Sequence, residues 1–317
     1  MVVGRQPAPD LELVRRLAGD TEFVGPGADA AGGEFDCIWR LYGGRLQGVR
    51  EDPLEAALQA HPEVRWVHTI SAGIDHLRPL MLAHPEVVLT TSVGVMAAPI
   101  AEFVVGCLLQ HCKCSAELAE MQRAHRFTEL PLRELGDMRI VIVGLGAIGS
   151  QVATLASAFG SSLVGVRRRA ELGGGELIGA VHRADELELA CRGADALVLA
   201  APLTEASRGL VGDRVLGALN EGSVLVNVAR GALVDEEVLL RRLRSGPLRA
   251  AYLDAFEEEP LPPSSPLWEA QGVFVSPHVS WSSPNFPRRA CELFGEQLRR
   301  YREGRPLLNV ADVAAGY

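Results

Sequence analysis

The stretch MRIVIVGLGAIGSQVATLASAFGSSLVGVRRR, residues 138–169, decides the fold. MRIVIV is apolar but for Arg139 and rich in β-branched residues, the composition of a strand buried on both faces. GLGAIG at 144–149 follows it directly and opens a stretch of helical composition. A lone G-x-G-x-x-G occurs by chance, but between an apolar strand and a helix it carries a mechanism. Gly144 permits a tight turn, Gly146 lets the backbone approach a pyrophosphate, and Gly149 allows the helix to pack closely on the strand. Ala147 and Ile148 then begin a helix whose free N–H groups face the anion. SSLVGV at 161–166 supplies a second strand, so the stretch is one unit of a doubly wound α/β sheet that holds a dinucleotide. It also mimics a membrane span, because residues 140–166 contain no charged side chain. Its glycines and the polar Ser150, Gln151, Thr154 and Ser157 divide it into strand, helix and strand instead.

The end of the second strand bears on which dinucleotide. An NAD site places Asp or Glu there, roughly 20 residues past the fingerprint, to bond the ribose hydroxyls. This chain has Arg167, Arg168 and Arg169, with no acid before Glu171. A carboxylate repels a 2′-phosphate, whereas a guanidinium grips it bidentately. The predicted cofactor is therefore NADP, held by Arg167 and Arg168, with NAD as the alternative. A solvated basic turn is the competing reading of the same arginines.

Outward from this unit, short apolar runs alternate with longer amphipathic ones, the pattern of parallel sheets covered by helices. Strands are predicted at 35–41, 64–70 and 87–92 in the first third, with a helix at 52–61. A single long helix is predicted over 98–125. A second series of strands follows at 138–144, 161–166, 194–201, 223–229, 248–254 and 272–278, with helices between them and an amphipathic helix over 287–304. At 317 residues the chain is long enough for two domains, and 48% apolar with 22% charged residues excludes a disordered or fibrous protein. A net charge of -9 makes nucleic acid and anionic membrane surfaces poor partners. Lys113 is the only lysine, so every other basic side chain is a planar guanidinium suited to carboxylates and phosphates. The six cysteines are irregularly spaced, and Cys112 and Cys114 stand too close for a zinc knuckle. They are read as reduced thiols without a metal, and a start lacking signal-peptide features agrees with a cytoplasmic protein.

Three late strands each end in a polar residue that apolar packing does not require: Arg230, Asp254 and His278. Glu259 lies shortly after Asp254. Ligands of open α/β sheets bind outside the carboxyl ends of the strands. An arginine, a carboxylate and a histidine gathered there are the groups needed to reduce a 2-oxo acid. Charge develops on one oxygen, a positioned acid neutralises it, and a fixed cation stabilises it.

VGLGAIG (143–149), APLTEASRGLV (201–211), VLVNVARGALVDEEVL (224–239), YLDAFEEEPLP (252–262) and SPHVSW (276–281) occur in the order of the motifs of one family, with SAGIDHL (71–77) and GVMAAPIAE (94–102) before them. The chain resembles the D-2-hydroxyacid dehydrogenase family over nearly its whole length. The resemblance implies two doubly wound parallel-sheet domains. One is a Rossmann NAD(P)-binding domain at 96–285; the other is a flavodoxin-like substrate-binding domain at 1–95, completed by 286–317. It implies that His278 protonates the carbonyl oxygen and that Glu259 orients the imidazole and favours its charged form. Arg230 would bind the substrate carboxylate, joined by the backbone at Ala72 and Gly73. Asp254 would accept from the nicotinamide carboxamide, and Pro202, Thr204 and Ala229 would add further cofactor contacts.

The implied activity is reduction of a small 2-oxo acid, glyoxylate or hydroxypyruvate foremost, to a 2-hydroxy acid by a homodimer. The alternative is a non-catalytic NAD(P)-sensing module that binds partner proteins, as in the family's corepressor branch. Two positions depart from the family pattern: Ser92 stands where Asn is common, and Trp281 where many relatives have a small residue. Trp281 either packs or narrows the acyl pocket.

Overall fold

The computed structural model describes residues 2–3, 11–19, 37–41, 53–169 and 175–317. Residues 35–36, Asp52 and Glu171, which figure in the predictions above, lie outside them. The chain divides into two compact units, Met1–Met96 with Ser283–Tyr317, and Ala97–Ser282.

The Ala97–Ser282 unit is built on a seven-stranded sheet, parallel throughout. Its strands are β5 (Arg139–Val143), β6 (Ser162–Val166), β7 (Ala180–His182), β8 (Ala196–Leu199), β9 (Ser223–Asn227), β10 (Leu248–Leu253) and β11 (Val273–Val275). Their order across the sheet is β7-β6-β5-β8-β9-β10-β11. The chain thus winds outward from β5 to β7, then returns to β5's other side and winds the opposite way. That reversal between β5 and β8 is the switch point at which doubly wound sheets bind ligands. β8 and β9 are wholly buried, which accounts for their continuous apolar sequence. β11, at one edge, is only half buried. β7, at the other, was not predicted: its three residues Ala180–His182 are exposed or half buried and lie in no apolar run.

Helices α6 (Ala147–Ser157), α7 (Leu187–Cys191), α8 (Asp213–Gly217) and α9 (Glu236–Ser245) connect these strands. Asp235 caps α9 by accepting the Val238 N–H at 3.0 Å. Leu197, Leu225 and Ala251 from the sheet and Leu216, Leu233 and Leu239 from its connections share one fully buried core. Truncating such a leucine to alanine costs about 2–5 kcal/mol.

The long helix predicted over 98–125 is in fact two, α4 (Ala97–Cys112) and α5 (Ser115–Arg123). They part at Cys114, whose backbone is left-handed with φ 48° and ψ 43°. Nothing in the residue type announces this break. Cys114 is buried, its sulfur receives Arg249 Nη2 at 3.6 Å, and the same nitrogen holds Glu117 at 2.5 Å on the next helix. Tertiary contacts therefore override a helical pattern.

The other unit carries a parallel sheet, β1 (Val2–Val3), β2 (Ile38–Arg40), β3 (Trp66–Thr69) and β4 (Val88–Thr91), adjacent in that order among the described residues. Around it lie α1 (Leu11–Ala18), α2 (Pro53–Ala60), α3 (Arg78–Ala83) and α10 (Phe286–Arg302). From α10, Phe294 stacks on Trp39 with ring centroids 4.0 Å apart, and Tyr301 on Trp66 at 4.9 Å. These contacts explain why the last segment of the chain belongs with the first. All six cysteines are buried, and none is joined in a disulfide. Among the described residues no helix is long and apolar enough to cross a membrane, and no group of His, Cys, Asp or Glu could hold a metal ion.

Candidate active site

In the seven-stranded sheet the last residues of the strands stand in level register: Val166, Val143, Leu199, Asn227, Leu253 and Val275 are successive Cα partners. The chain therefore leaves each of these strands at the same edge. Every residue of this unit predicted to act lies within a few positions of one of those exits.

At the β5 exit the glycines do three different things. Gly144 has φ +94°, and a Cβ there would fall 2.7 Å from the Ala200 backbone at the β8 exit. At Gly149 a Cβ would lie 1.9 Å from the Gly144 carbonyl oxygen, so only glycine lets α6 begin this close to the strand. Gly146 meets nothing within 4 Å. Its bareness serves a space outside the protein, at the N-terminus of an eleven-residue helix. A cradle of that shape, with the unpaired N–H groups of the first turn around it, fits a pyrophosphate. The β6 exit lies alongside, since the Gly144 N–H donates to the Val166 carbonyl at 2.8 Å. Arg167 is half buried there, and Arg168 and Arg169 are exposed. At the β8 exit, the Ser207 hydroxyl donates to the Pro202 carbonyl at 2.8 Å. The Thr204 N–H reaches the same hydroxyl oxygen at 2.8 Å, which closes the 202–207 loop.

The β9, β10 and β11 exits carry Arg230, Glu259 and His278. Asn227, buried at the end of β9, accepts the Ala229 N–H at 3.1 Å and donates to the Arg230 carbonyl at 3.0 Å. A Cβ on Gly231 would fall 1.9 Å from the Phe256 backbone, so the Arg230 turn lies flat against the chain leading to Glu259. The Glu259 carboxylate accepts the Phe256 N–H at 3.0 Å and faces His278 Nδ1 at 2.9 and 3.2 Å. Desolvation alone would raise the Glu259 carboxyl, but the hydrogen bonds from His278 and Phe256 and the charges of His278 and Arg230 hold it below its ordinary value. An ionised carboxylate only accepts, so the proton between the two groups belongs to Nδ1. Nε2 is left for chemistry.

The backbone of His278 is left-handed, with φ +52°. Asp254, which is 1% exposed, braces the segment around it. Its Oδ1 accepts the Ser276 hydroxyl at 2.7 Å and the Val279 N–H at 2.9 Å, and its Oδ2 accepts the Ser280 N–H at 3.1 Å. Of the roughly four acceptor positions of a carboxylate, one remains. This bracing role, like those of Asn227 and Gly231, was missed in the sequence. A buried Asn closing an apolar strand and a glycine directly after Arg230 were the available signals.

Ala72 and Gly73 belong to the other unit, in the loop after β3. Ser92 ties that loop to β4 by donating its N–H to the Ser71 carbonyl at 3.2 Å, and its hydroxyl donates to the Thr69 carbonyl at 3.1 Å. That hydroxyl then accepts from His68 Nε2 at 3.2 Å, and His68 Nδ1 meets the Thr90 hydroxyl at 2.8 Å. Burial lowers His68 to about 3, so it is a neutral ring with its proton on Nε2. The residue that replaces the family's Asn is thus part of a buried hydrogen-bond chain.

Comparison with known proteins agrees with this geometry. Residues 105–280 match the family described as D-isomer specific 2-hydroxyacid dehydrogenase, NAD binding domain. A glyoxylate reductase of Aeropyrum pernix is 31% identical over 257 residues, 78% of this chain and 76% of that protein. The D-isomer specific 2-hydroxyacid dehydrogenase of Xanthobacter autotrophicus Py2, solved in complex with NADPH and MES, matches with a TM-score of 0.84 at 27% identity, over 100% of this chain and 98% of that one. An NADPH-dependent glyoxylate/hydroxypyruvate reductase of Sinorhizobium meliloti, solved with NADP and sulfate, matches with a TM-score of 0.80 at 26% identity, over 100% and 99%. The chain belongs to the D-isomer specific 2-hydroxyacid dehydrogenase family. It is an oxidoreductase whose residues 105–280 form a nicotinamide-dinucleotide-binding domain.

Proposed function

We propose that the protein reduces small 2-oxo acids, glyoxylate and hydroxypyruvate before others, to D-2-hydroxy acids with NADPH. The observation that carries the reading is the convergence of Arg230, Glu259 and His278 on neighbouring strand exits, with the Glu259–His278 pair closed at 2.9 Å. Arg230 binds the substrate carboxylate and polarises the carbonyl, and backbone N–H groups at Ala72 and Gly73 are assigned to the same carboxylate. His278 gives the Nε2 proton to the carbonyl oxygen as charge develops there, and Glu259 holds the ring and stabilises its charge. NADPH, when bound, supplies the hydride.

The pyrophosphate is assigned to Gly144, Gly146, Ala147, Ile148 and Gly149, with Pro202, Thr204 and Ala229 beside the remainder of the cofactor. Asp254 keeps one acceptor position for the carboxamide. Arg167 and Arg168 are assigned to the 2′-phosphate, a reading supported by their place beside the fingerprint and by relatives solved with NADPH or NADP. Trp281 is assigned to the substrate side.

Initial rates with glyoxylate and hydroxypyruvate, using NADPH and NADH in parallel, test the proposal. Faster turnover with NADPH is expected. A clear preference for NADH overturns the arginine assignment. Tight NADPH binding without turnover of any 2-oxo acid from glyoxylate to phenylpyruvate overturns the enzyme reading in favour of a dinucleotide-sensing, protein-binding module.

A further inference from the structure

Trp281 follows His278 by three residues, and its indole N–H donates to the His278 carbonyl oxygen at 2.8 Å. That carbonyl and the Val279 N–H belong to one peptide unit. The Val279 N–H is bound by Asp254 Oδ1 at 2.9 Å, so the unit is held at both ends. Its plane sets ψ of His278, whose φ of +52° lies where a side chain with a Cβ is strained. Such a conformation persists only where its surroundings over-determine it. On the preceding side, the His278 N–H donates to the Ser276 carbonyl at 2.9 Å, and the Ser276 hydroxyl to Asp254 at 2.7 Å. The carbonyl side of the turn has the Trp281 indole.

We infer that Trp281 is a positioning residue for His278: its indole N–H clamps the peptide that follows the histidine and thereby keeps the imidazole against Glu259. This rests on the proposed function, and it gives Trp281 a task that neither packing nor pocket width includes. A phenylalanine would satisfy both of those, but it lacks the N–H.

The test is Trp281→Phe, with benzothienylalanine at position 281 as a second variant that keeps the indole shape and replaces the N–H by sulfur. Loss of one neutral hydrogen bond is expected to lower kcat for glyoxylate by about five- to tenfold. KM for glyoxylate and for NADPH should change by less than about twofold on the same reasoning. The Nδ1–H proton of His278, which Glu259 holds at 2.9 Å, should exchange faster with water and its NMR resonance broaden once the ring leaves Glu259 part of the time. That resonance, assigned with His278→Ala, needs no turnover.

An unchanged kcat and an unchanged Nδ1–H resonance in both variants overturns the inference, particularly if only the relative KM among 2-oxo acids of different chain length shifts. Absence of turnover in the unsubstituted protein instead overturns the proposed function, and the Nδ1–H resonance of His278 still decides the role of Trp281.

Discussion

Two turns at the same edge of the sheet are built by opposite means. The turn at 144–149 exists because side chains are missing: Gly144 and Gly149 occupy positions where a Cβ would collide with backbone at 2.7 and 1.9 Å. The turn at 276–281 exists in spite of a side chain, since His278 is left-handed and is held there by Asp254, Ser276 and Trp281. A cofactor cradle has to let a ligand approach the backbone, and bareness achieves that. A proton donor has to carry a functional side chain, so it cannot be glycine, and the strain must be offset by hydrogen bonds. The first turn should fail by steric collision and the second by loosening.

The largest effect is expected from Gly149→Val. Overpacking against the Gly144 carbonyl should cost about 3 kcal/mol or more and abolish cooperative melting of the Ala97–Ser282 unit. A thermal melt followed by circular dichroism checks it, and an unchanged melt would show that α6 can move away from β5. Next is Asp254→Ala, which leaves the Val279 and Ser280 N–H groups without their acceptor and the Ser276 hydroxyl with only the longer contact to the Leu253 carbonyl. Unmet buried donors cost about 1–3 kcal/mol each, and kcat for reduction should fall about a hundredfold as the His278 turn relaxes.

Gly146→Ala should do the reverse of Gly149→Val. Its Cβ meets nothing in the protein, so Tm should shift by only a few degrees, on the order of 1 kcal/mol. The Kd for NADPH, measured by fluorescence titration, should nonetheless rise about tenfold, equivalent to ~1.4 kcal/mol. The smallest change is expected from Glu259→Gln. The Glu259 carboxyl is held under its ordinary value, so the stability its ionised form gives the His278 turn is present above the ordinary carboxylate range and is lost as pH falls through the lowered value. Removing the charge should shrink the acid-side loss of Tm, read by thermal melts across pH. An acid-side loss that stays the same would show that Glu259 carries none of it.

How much of this was legible follows from the same contrast. Steric requirements are written in residue type, so the fingerprint, the doubly wound sheet and the strand-end positions of Arg230, Asp254 and His278 could all be read from sequence. Hydrogen-bond braces depend on which distant groups meet. Asp254 reaches Ser280 across 26 positions, and nothing in the intervening sequence marks the pair. The break at Cys114 was hidden for a similar reason. A cysteine does not announce a left-handed backbone, and the arginine that donates to its sulfur lies 135 positions away. The neutral state of His68 likewise comes from burial among Trp66, Thr90 and Phe294, which the sequence of β3 alone does not reveal.

The central claim is that His278, on its braced turn, protonates a 2-oxo acid beside a cofactor held by the glycine turn. It is tested most directly by measuring kcat for glyoxylate reduction and the Kd for NADPH in His278→Ala against the unsubstituted protein. The account predicts a loss in kcat of about 10²–10⁴-fold with the NADPH Kd unchanged. Retention of most of the kcat, or an equal loss of NADPH binding, would contradict it.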